Sequence, residues 1–511
     1  MKVLFESAFN INRNINKLVN QDAINSFGKT LYQGDNANYA ISLFQNNLIE
    51  PNETVKIFLQ HIGHALINWG KKNINNGYFE MVDVHHGTEL FLGFLPRYID
   101  TFPDDEDAKN LILDVAEHIG NWRENSHDWF DYKNNSFKSW NFGTNGIHHN
   151  TAYNYNTADH LRLVHIALLA WEISLDNKYL EWSYIYSSEF AKRIIQAEKN
   201  IPVAWNREWK EFFPENMLSK EESFLAANQH HLQKNPVSGV ENLLASGAIY
   251  TFGYLYLNKK DKIFKDASKI ILNNLLPYLT NSYSDTIGVL LNYYRSTFND
   301  NSFDQTILSH LENIPPENEN EIMLGFPENE KVRLMGVGNR KDMIYWYQLE
   351  NLEVKHIDEP PTSFFMLAYN ITGKIEFAER ALKTASRKLK IASSILRSGH
   401  EHSDSGKLLS SVISGHGRNW GVGAITGCYP SLIIGSDENL GIYNYNFKFL
   451  SKTLSSGCLP LVRSLLDNKI ELLFYNFSNV KQNIRLVYKK TSEQINFNME
   501  PNSFIKKIFN K

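Results

Sequence analysis

Helical spacing of apolar residues dominates the chain from about residue 15 to about residue 435. Apolar positions recur every three or four residues in stretches that come in pairs, and each pair is divided by a short polar turn, which is typical of two helices packed against each other. The pairs are Ala23–Leu48, Leu90–Ile119, His160–Ala197, Asn242–Leu279, Ser282–Ile314 and Thr362–Ser394. Because one pair cannot bury its apolar face alone, the six pairs predict a shared core.

Two arrangements of such pairs are open from the pattern, a closed ring and an open α-solenoid. The pairs differ in length, and long aromatic loops at 121–159 and 200–235 lie between them. Open repeats keep a tighter period, so the variation favours closure. We therefore predict a mainly α fold, an (α/α)6 toroid that occupies residues 1–435.

The pattern changes after about Ser436, where short alternating segments replace helical spacing. Turn residues separate these segments at Asp467-Asn468 and at Ser478-Asn479. The predicted strands are Leu461–Leu465, Ile470–Phe477, Ile484–Tyr488 and Ile495–Met499, with room for a fifth. Such a succession indicates antiparallel pairing, so we predict a small β domain over residues 436–511.

Composition narrows the classes of function. The formal net charge of -4 gives no basic excess for nucleic acid or an anionic membrane. Two cysteines cannot build a disulfide framework or a thiolate zinc site. The opening residues lack the apolar region of a secretory signal, and no run of about 18 apolar residues occurs, so we expect a cytoplasmic protein with no membrane span. Aromatic residues reach 13%, which suits either a bulky core or platforms for a ligand.

The segment WNFGTNGIHHNTAYNYNTADHLR is the richest in chemical groups. Histidine, tyrosine, aspartate and arginine side chains gather there around asparagine-rich turns, as in many functional clefts. Its candidate residues are Trp140, His148, His149, Tyr153, Tyr155, Asp159, His160 and Arg162. Asp159 is expected to cap the following helix, with His160 above the helix end. The alternative is an ordinary capped loop with solvated histidines.

Three further clusters lie beside other helical pairs. They contain His85, His86 and Glu89; His230 and His231; and His416, Arg418, Asn419 and Trp420 within the glycine-rich stretch 414–423. That stretch matches neither a dinucleotide nor a P-loop spacing. The plain alternatives are a helix start for the first and a solvated lead-in for the second. In a toroid, loops of this kind meet over one central cavity, so the four clusters predict one site.

Two other motifs are assigned to structure. The acidic run Asp104–Asp107 follows Pro103 and is expected to be an exposed turn or a helix cap. Cys428 lies among apolar residues and is expected to be buried and unreactive.

The helical pairs with an appended β module resemble the (α/α) toroid carbohydrate-active enzymes, which are polysaccharide lyases and toroidal glycoside hydrolases. The segment from Asn145 through His149 to Tyr155 and His160 is similar to the segment of heparinase-type lyases that carries an Asn/His/Tyr constellation. The resemblance implies that Tyr155 or Tyr153 transfers the proton and that His149 or His148 is its partner. It also implies a poly- or oligosaccharide as substrate.

The residue types fit elimination at a uronic acid. The reaction requires a neutralised carboxylate, a base and an acid, which Arg, Asn, His and Tyr can supply. We expect catalytic roles for Tyr155, His149, His148, Tyr153, Arg418, His416, His86, Glu89, Asp159 and His231. We expect substrate contacts from Asn419, Trp140, Trp205, Trp420, His160, Arg162, His85 and His230.

Two other functions are alternatives to the lyase. An inverting hydrolase needs two carboxyl groups about 6.5–9.5 Å apart, and Glu89 and Asp159, with Glu241 or Asp285 behind them, are candidates without obvious pairing. A sugar-binding protein or helical scaffold would need no catalytic groups. No organic cofactor is expected, a divalent metal and the oligomeric state stay open, and no nucleic acid or membrane partner is expected.

Overall fold

The protein combines helices with several small sheets. The computed structural model describes residues 1–25, 43–75, 77–88, 91–124, 126–212, 238–276, 285–311, 362–397, 428–436 and 445–510. Within that part of the chain, 56% of the residues are helical and 17% are in strands, which form five small antiparallel sheets. The prediction of a mainly α, (α/α)6 toroid is therefore wrong, because this is a mixed α/β fold and not a clear toroid.

Helix pairs occupy the second to sixth ranges in which helical periodicity predicted them. The helices are α1 (Lys2–Asn25), α2 (43–49), α3 (Glu53–Asn73), α4 (Val84–Thr88), α5 (Phe94–Thr101), α6 (Glu106–Ile119), α7 (His160–Ser174), α8 (Asn177–Ala197), α9 (Ser238–Ala245), α10 (Ala248–Lys259), α11 (Lys262–Leu275), α12 (Asp285–Thr297), α13 (Asp304–Leu311), α14 (Thr362–Thr372), α15 (Ile375–Arg397) and α16 (Tyr429–Ile434). Most of the first pair, Ala23–Leu48, lies outside the described residues.

Three of these pairs share one way of starting their second helix. The carboxylates of Asp105, Asp176 and Asp261 accept backbone N–H groups in the first turns of α6, α8 and α11. An aspartate before the first helical residue satisfies donors that have no partner within the helix. The interpretation of Asp104–Asp107 as a helix cap is thereby confirmed at Asp105.

Short strands lie between the helices, one of them before α4 and the others in the described parts of the two segments that the sequence predicted as aromatic loops. They are β1 (Val82–Asp83), β2 (Phe130–Asp131), β3 (Ser136–Phe137), β4 (Asn141–Gly143), β5 (Gly146–Ile147), β6 (Tyr155–Thr157), β7 (Ala204–Asn206) and β8 (Glu211–Phe212). They pair in the orders β1-β4-β5, β2-β3 and β6-β7-β8. A strand of two or three residues contains at most one alternation of faces, so its period cannot be recognised in the sequence.

The C-terminal segment forms two three-stranded sheets. Their strands are β9 (Phe447–Phe449), β10 (Cys458–Ser464), β11 (Lys469–Asn476), β12 (Gln482–Tyr488), β13 (Glu493–Met499) and β14 (Phe504–Asn510), in the orders β10-β11-β14 and β13-β12-β9. Strands thus stand near all four predicted ranges. Asp467 and Asn468 both have positive φ and belong to the three-residue turn Leu466–Asn468 that joins β10 to β11.

One hydrophobic cluster runs through the helices and the C-terminal strands. Strand β10 packs against α16, α14 and α1, and α1 also packs against α15. Cys428 and Cys458 are both buried and not joined by a disulfide, and burial was predicted for Cys428. The predicted domain boundary at residues 435–436 lies at the end of a described range and stays a prediction. No helix among the described residues is long and apolar enough to cross a membrane.

Candidate functional site

The backbone of Ser139–Asn141 connects the parts of the candidate site. The carbonyl oxygen of Ser139 lies 3.1 Å from Nε2 of His160, which donates to it because a carbonyl can only accept. The carbonyl oxygen of Asn141 accepts from the backbone N–H of His148 at 3.0 Å. Two histidines that are distant in sequence thus bind either end of the same three-residue segment.

The middle residue of that segment, Trp140, joins two of the predicted clusters. Its N–H donates to the carbonyl oxygen of Tyr153 at 2.9 Å, and its own carbonyl oxygen accepts from the N–H of Val84 at 3.0 Å. Val84 begins α4 and precedes His85. The cluster at 84–89 and the cluster at 140–162, predicted separately, therefore meet along one backbone segment.

Three aromatic rings pack against one another in a row beside this segment, with tilted planes. The Trp140 and Tyr153 ring centroids are 4.5 Å apart, and those of Tyr153 and His148 are 3.9 Å apart. We call Trp140, Tyr153 and His148 the ring ladder. Trp140 is buried, Tyr153 and His148 are half-buried, and the neighbouring His149 is exposed. The ladder therefore presents its outer rings toward solvent.

The protonation pattern of His148 follows from its backbone partner. Its Nδ1 lies 3.1 Å from the N–H of Asn150 and accepts from it. In the neutral ring the proton is therefore on Nε2, so that this nitrogen is a donor. The side chain of Asn150 caps the short 3-10 turn Thr151–Tyr153 by accepting from Ala152 N at 3.0 Å, which fixes the turn that carries Tyr153.

A buried ionic cluster lies between α4 and the start of α7. Arg162 donates from Nε to Oγ1 of Thr88 at 2.9 Å and from Nη1 to Nδ1 of His85 at 3.1 Å. Nδ1 of His85 also lies 3.7 Å from Oδ1 of Asp159. All four residues are buried, and the carboxylate of Asp159 balances the guanidinium charge that burial would otherwise penalise.

Asp159 does not have the role predicted for it. It stands at the N-cap position of α7 but makes no side-chain cap hydrogen bond, because its carboxylate lies beside His85. Arg162 and His85 were predicted to contact substrate, yet each is buried and bound to other side chains. In this structure Asp159, Arg162 and His85 are therefore buried structural residues next to the site.

His160 is also a core residue and not a surface ligand. It is fully buried, its Nδ1 accepts from the N–H of Thr157 at 3.0 Å, and its ring stacks on Phe137 at 4.5 Å. Burial lowers the pKa of His160 to about 4, so the ring is neutral at pH 7. The prediction that His160 contacts substrate is corrected, because both ring nitrogens bind the protein's own backbone.

Tyr155 and Trp205 belong to a different sheet. Tyr155 pairs with Asn206 across β6 and β7, and its ring packs on Phe212 at 4.7 Å. Trp205 is 1% exposed and packs against Phe190 at 5.2 Å. The prediction of Trp205 as a sugar platform is wrong, since a buried indole has no free face. The structure thus places Tyr155 in a different sheet from the ring ladder, although the sequence favoured Tyr155 over Tyr153 as the proton-transfer residue.

Asn156 is a site-supporting residue that the sequence analysis missed. Its side chain accepts from the N–H of Phe137 at 2.7 Å and donates to the carbonyl oxygen of Phe137 at 3.1 Å, so the amide holds β3 and β6 together. It also accepts from Tyr186 Oη at 3.2 Å. The available signal was the alternation Tyr153-Asn154-Tyr155-Asn156, in which every second residue is an amide.

The other predicted residues lie outside the described part of the chain. They are the side chains of His86, Glu241 and Asp285 and the residues Glu89, His230, His231, His416, Arg418, Asn419 and Trp420. The meeting of the third and fourth clusters with the first two stays a prediction. Among the described residues, no group of three or more His, Cys, Asp or Glu side chains could hold a metal ion.

No protein-family model matches the chain, and no curated protein and no solved structure matches it either. The chemistry of the site therefore has to be argued from its own geometry.

Proposed function

We propose that this protein cleaves a uronic-acid-containing poly- or oligosaccharide by β-elimination. The observation that carries the proposal is the direct ring contact between His148 and Tyr153, at 3.9 Å, in a half-buried position beside exposed His149. A tyrosine and a histidine whose rings are in contact at a partly open surface supply two side-chain types suited to moving protons to and from a bound substrate.

The two side chains have distinguishable roles in that reaction. As the Tyr153 oxygen accepts the proton from C5 of the uronate, its own hydroxyl proton passes to the oxygen that leaves from C4, so the hydroxyl is restored in the same step. His148 donates its Nε2–H to the substrate carboxylate, since Nδ1 is occupied by Asn150. A hydrogen bond to the carboxylate stabilises the negative charge that develops when the C5 proton is removed. Arg418 and Asn419 keep their predicted role in neutralising this carboxylate.

Two further features support sugar elimination. Trp140 backs the ring of Tyr153 at 4.5 Å, so the outer rings are held in one orientation against a flat sugar face. Asp159, the described carboxylate expected to serve a hydrolase, is buried beside His85. A buried carboxylate cannot act as the base that activates an attacking water, and this favours elimination over hydrolysis.

A substrate panel tests the reaction type. The purified protein is incubated with uronate-containing glycans, and both the ultraviolet absorbance of the unsaturated product and the release of reducing ends are followed. We expect the two signals to rise together. Reducing ends without the absorbance would show hydrolysis, and glycan binding with neither signal would show a binding protein, so either result would contradict the proposal.

Removing the hydroxyl of Tyr153 tests the assignment of residues. Tyr153→Phe keeps the ring between Trp140 and His148, and we expect kcat to fall about 10²–10⁴-fold, the usual contribution of a positioned acid–base group. Tyr155→Phe should change kcat only a few-fold. Tyr256→Phe serves as the matched control. Tyr256 lies on α10, and its ring packs on that of Phe298. A large loss in Tyr155→Phe with none in Tyr153→Phe would reverse the assignment.

A further inference from the structure

We infer that His160 is a positioning residue of the candidate site, which it serves through the backbone without touching substrate. The kinetic test of this role rests on the proposed function, whereas the second test, amide hydrogen exchange, needs no substrate. The role is inferred from the observation that Ser139–Asn141 contacts both the ring ladder and His160.

His160 forms hydrogen bonds with the backbone of Ser139 and with that of Thr157. Nε2 donates to the carbonyl oxygen of Ser139 at 3.1 Å, and Nδ1 accepts from the N–H of Thr157 at 3.0 Å. Thr157 ends β6, and Ser139 precedes β4. The imidazole therefore connects the backbone at Thr157 to the backbone at Ser139. These two segments are not paired with each other in any β-sheet of the described residues.

Displacement of Ser139 would reach the ring ladder within two residues. Ser139 Oγ donates to the carbonyl oxygen of Asn141 at 2.9 Å and accepts from Asn141 N at 3.1 Å, so the segment is a tight local turn. Asn141 receives the N–H of His148, and Trp140 donates to Tyr153. A shift of the Ser139 carbonyl therefore changes where Tyr153 and His148 stand relative to each other.

The ring itself has little freedom. It is enclosed by Phe137 and Phe142, with centroid distances of 4.5 and 6.2 Å, and burial keeps it neutral. A neutral imidazole has one donor and one acceptor nitrogen. Here the donor faces a carbonyl and the acceptor faces an N–H, so one tautomer satisfies both contacts.

Two substitutions separate the two contacts of the ring. In His160→Gln the side-chain amide nitrogen can occupy the place of Nε2 and keep the bond to Ser139. In His160→Asn the shorter side chain can replace only Nδ1 and keeps the contact to Thr157. We expect His160→Asn to lower kcat about 10²-fold with little change in KM, the effect of a misplaced catalytic group, and His160→Gln to recover most of the rate.

His165→Asn is the control for loss of a buried histidine. His165 lies on the same helix and is buried, but its Nε2 contacts Gly247 O at 3.2 Å and Thr251 Oγ1 at 2.8 Å, on the side of α10. We expect His165→Asn to lower the melting temperature as much as His160→Asn does while kcat is kept. Equal kinetic losses in these two variants would overturn the inference, since general destabilisation would then explain them.

Amide hydrogen exchange gives a readout that needs no substrate. In His160→Asn, peptides that cover residues 138–153 should exchange faster than in the parent protein, while His160→Gln and His165→Asn should leave them protected. Unchanged exchange there in His160→Asn would overturn the positioning role whatever the kinetics. If the parent protein turns over no glycan, the proposed function fails, and the exchange pattern alone decides the role of His160.

Discussion

At the scale of a residue, Gly143 lets the β4–β5 hairpin lie directly against the backbone of Phe79 and Glu80. A Cβ at this position would lie 2.4 Å from the carbonyl oxygen of Phe79 and 2.5 Å from that of Glu80. Those same two carbonyls accept the N–H groups of Thr144 and Asn145 at 3.0 Å each. The hairpin that leads to His148 is therefore docked by close backbone contact, which only glycine permits.

Gly143→Ala should accordingly destabilise the protein. We expect the free energy of unfolding to fall by about 1–3 kcal/mol, because backbone carbonyls cannot move aside as a flexible side chain can. Urea denaturation measures the change. The matched control is Gly70→Ala in α3, where the nearest atom to the new Cβ is Leu111 Cδ2 at 3.5 Å. The control should gain up to about 1 kcal/mol from helix propensity. Equal effects of the two substitutions would contradict the close-docking explanation.

Residue identity alone did not separate surface ligands from core residues. His148, His160 and Trp205 all belong to types that bind sugars, yet only His148 is partly exposed. Their sequence contexts are similar, since each lies near asparagine and aromatic residues. Exposure depends on what other parts of the chain pack against each side chain, and local sequence does not contain that information.

At the scale of an element, the helices owe their starts to local side chains. Asp105 accepts from Ala108 N at 3.1 Å and from Tyr98 Oη at 2.6 Å, so it caps α6 and ties it to α5. Burial acts to raise the pKa of Asp105, but the hydrogen bonds from Tyr98 and Ala108 outweigh it, and the pKa is lowered overall. The ionised carboxylate is thus favoured by the folded state.

Asp105→Ala should cost about 0.5–2 kcal/mol of unfolding free energy, the usual value of an N-cap. The contribution of the ionised group is present above its unfolded pKa of about 4 and is lost as the pH falls through the lower folded pKa. Asp105→Asn should therefore weaken the acid dependence of stability in that window. Urea titrations at neutral and acidic pH measure both effects. An unchanged acid dependence in Asp105→Asn would contradict the lowered pKa.

At the scale of the whole molecule, Asn370 joins helices to the C-terminal strands. Its Nδ2 donates to Asn292 Oδ1 at 2.8 Å, and its Oδ1 accepts from the N–H of Ser464 at 3.1 Å. Its carbonyl oxygen accepts from Nε of Arg463 at 3.0 Å. One buried residue thus links α12, α14 and β10, which makes independent unfolding of the strands costly.

Asn370→Ala should lower stability by about 1–3 kcal/mol, because the buried N–H of Ser464 loses its acceptor. Unfolding should stay a single transition when followed by circular dichroism and by tryptophan fluorescence. Asn258→Ala is the control, since Asn258 is exposed and donates to Tyr254 O of its own helix at 3.0 Å, and its change should stay within about 0.5 kcal/mol. Two separated transitions in the parent protein would contradict the linking role.

The long elements and their caps could be predicted from the order of residues. Helices such as α7 and α8, with 15 and 21 residues, repeat their apolar spacing over several turns, and strands β10 to β13 have seven or eight residues each. The sequence also singled out the segments at 84–89 and 140–162. These features are local, since period and capping act within a few residues.

The fold class, the short strands and the exposure of individual side chains follow from contacts between segments and could not be predicted. Strands β2 to β8 have two or three residues, and two of the pairings that hold them join segments far apart in sequence, Val82 with Phe142 and Tyr155 with Asn206. The same holds for the choice of Tyr153 over Tyr155, because stacking on Trp140 or on Phe212 depends on which strands meet. Pairing and burial are properties of contacts between distant segments, and a linear pattern of residues does not specify them.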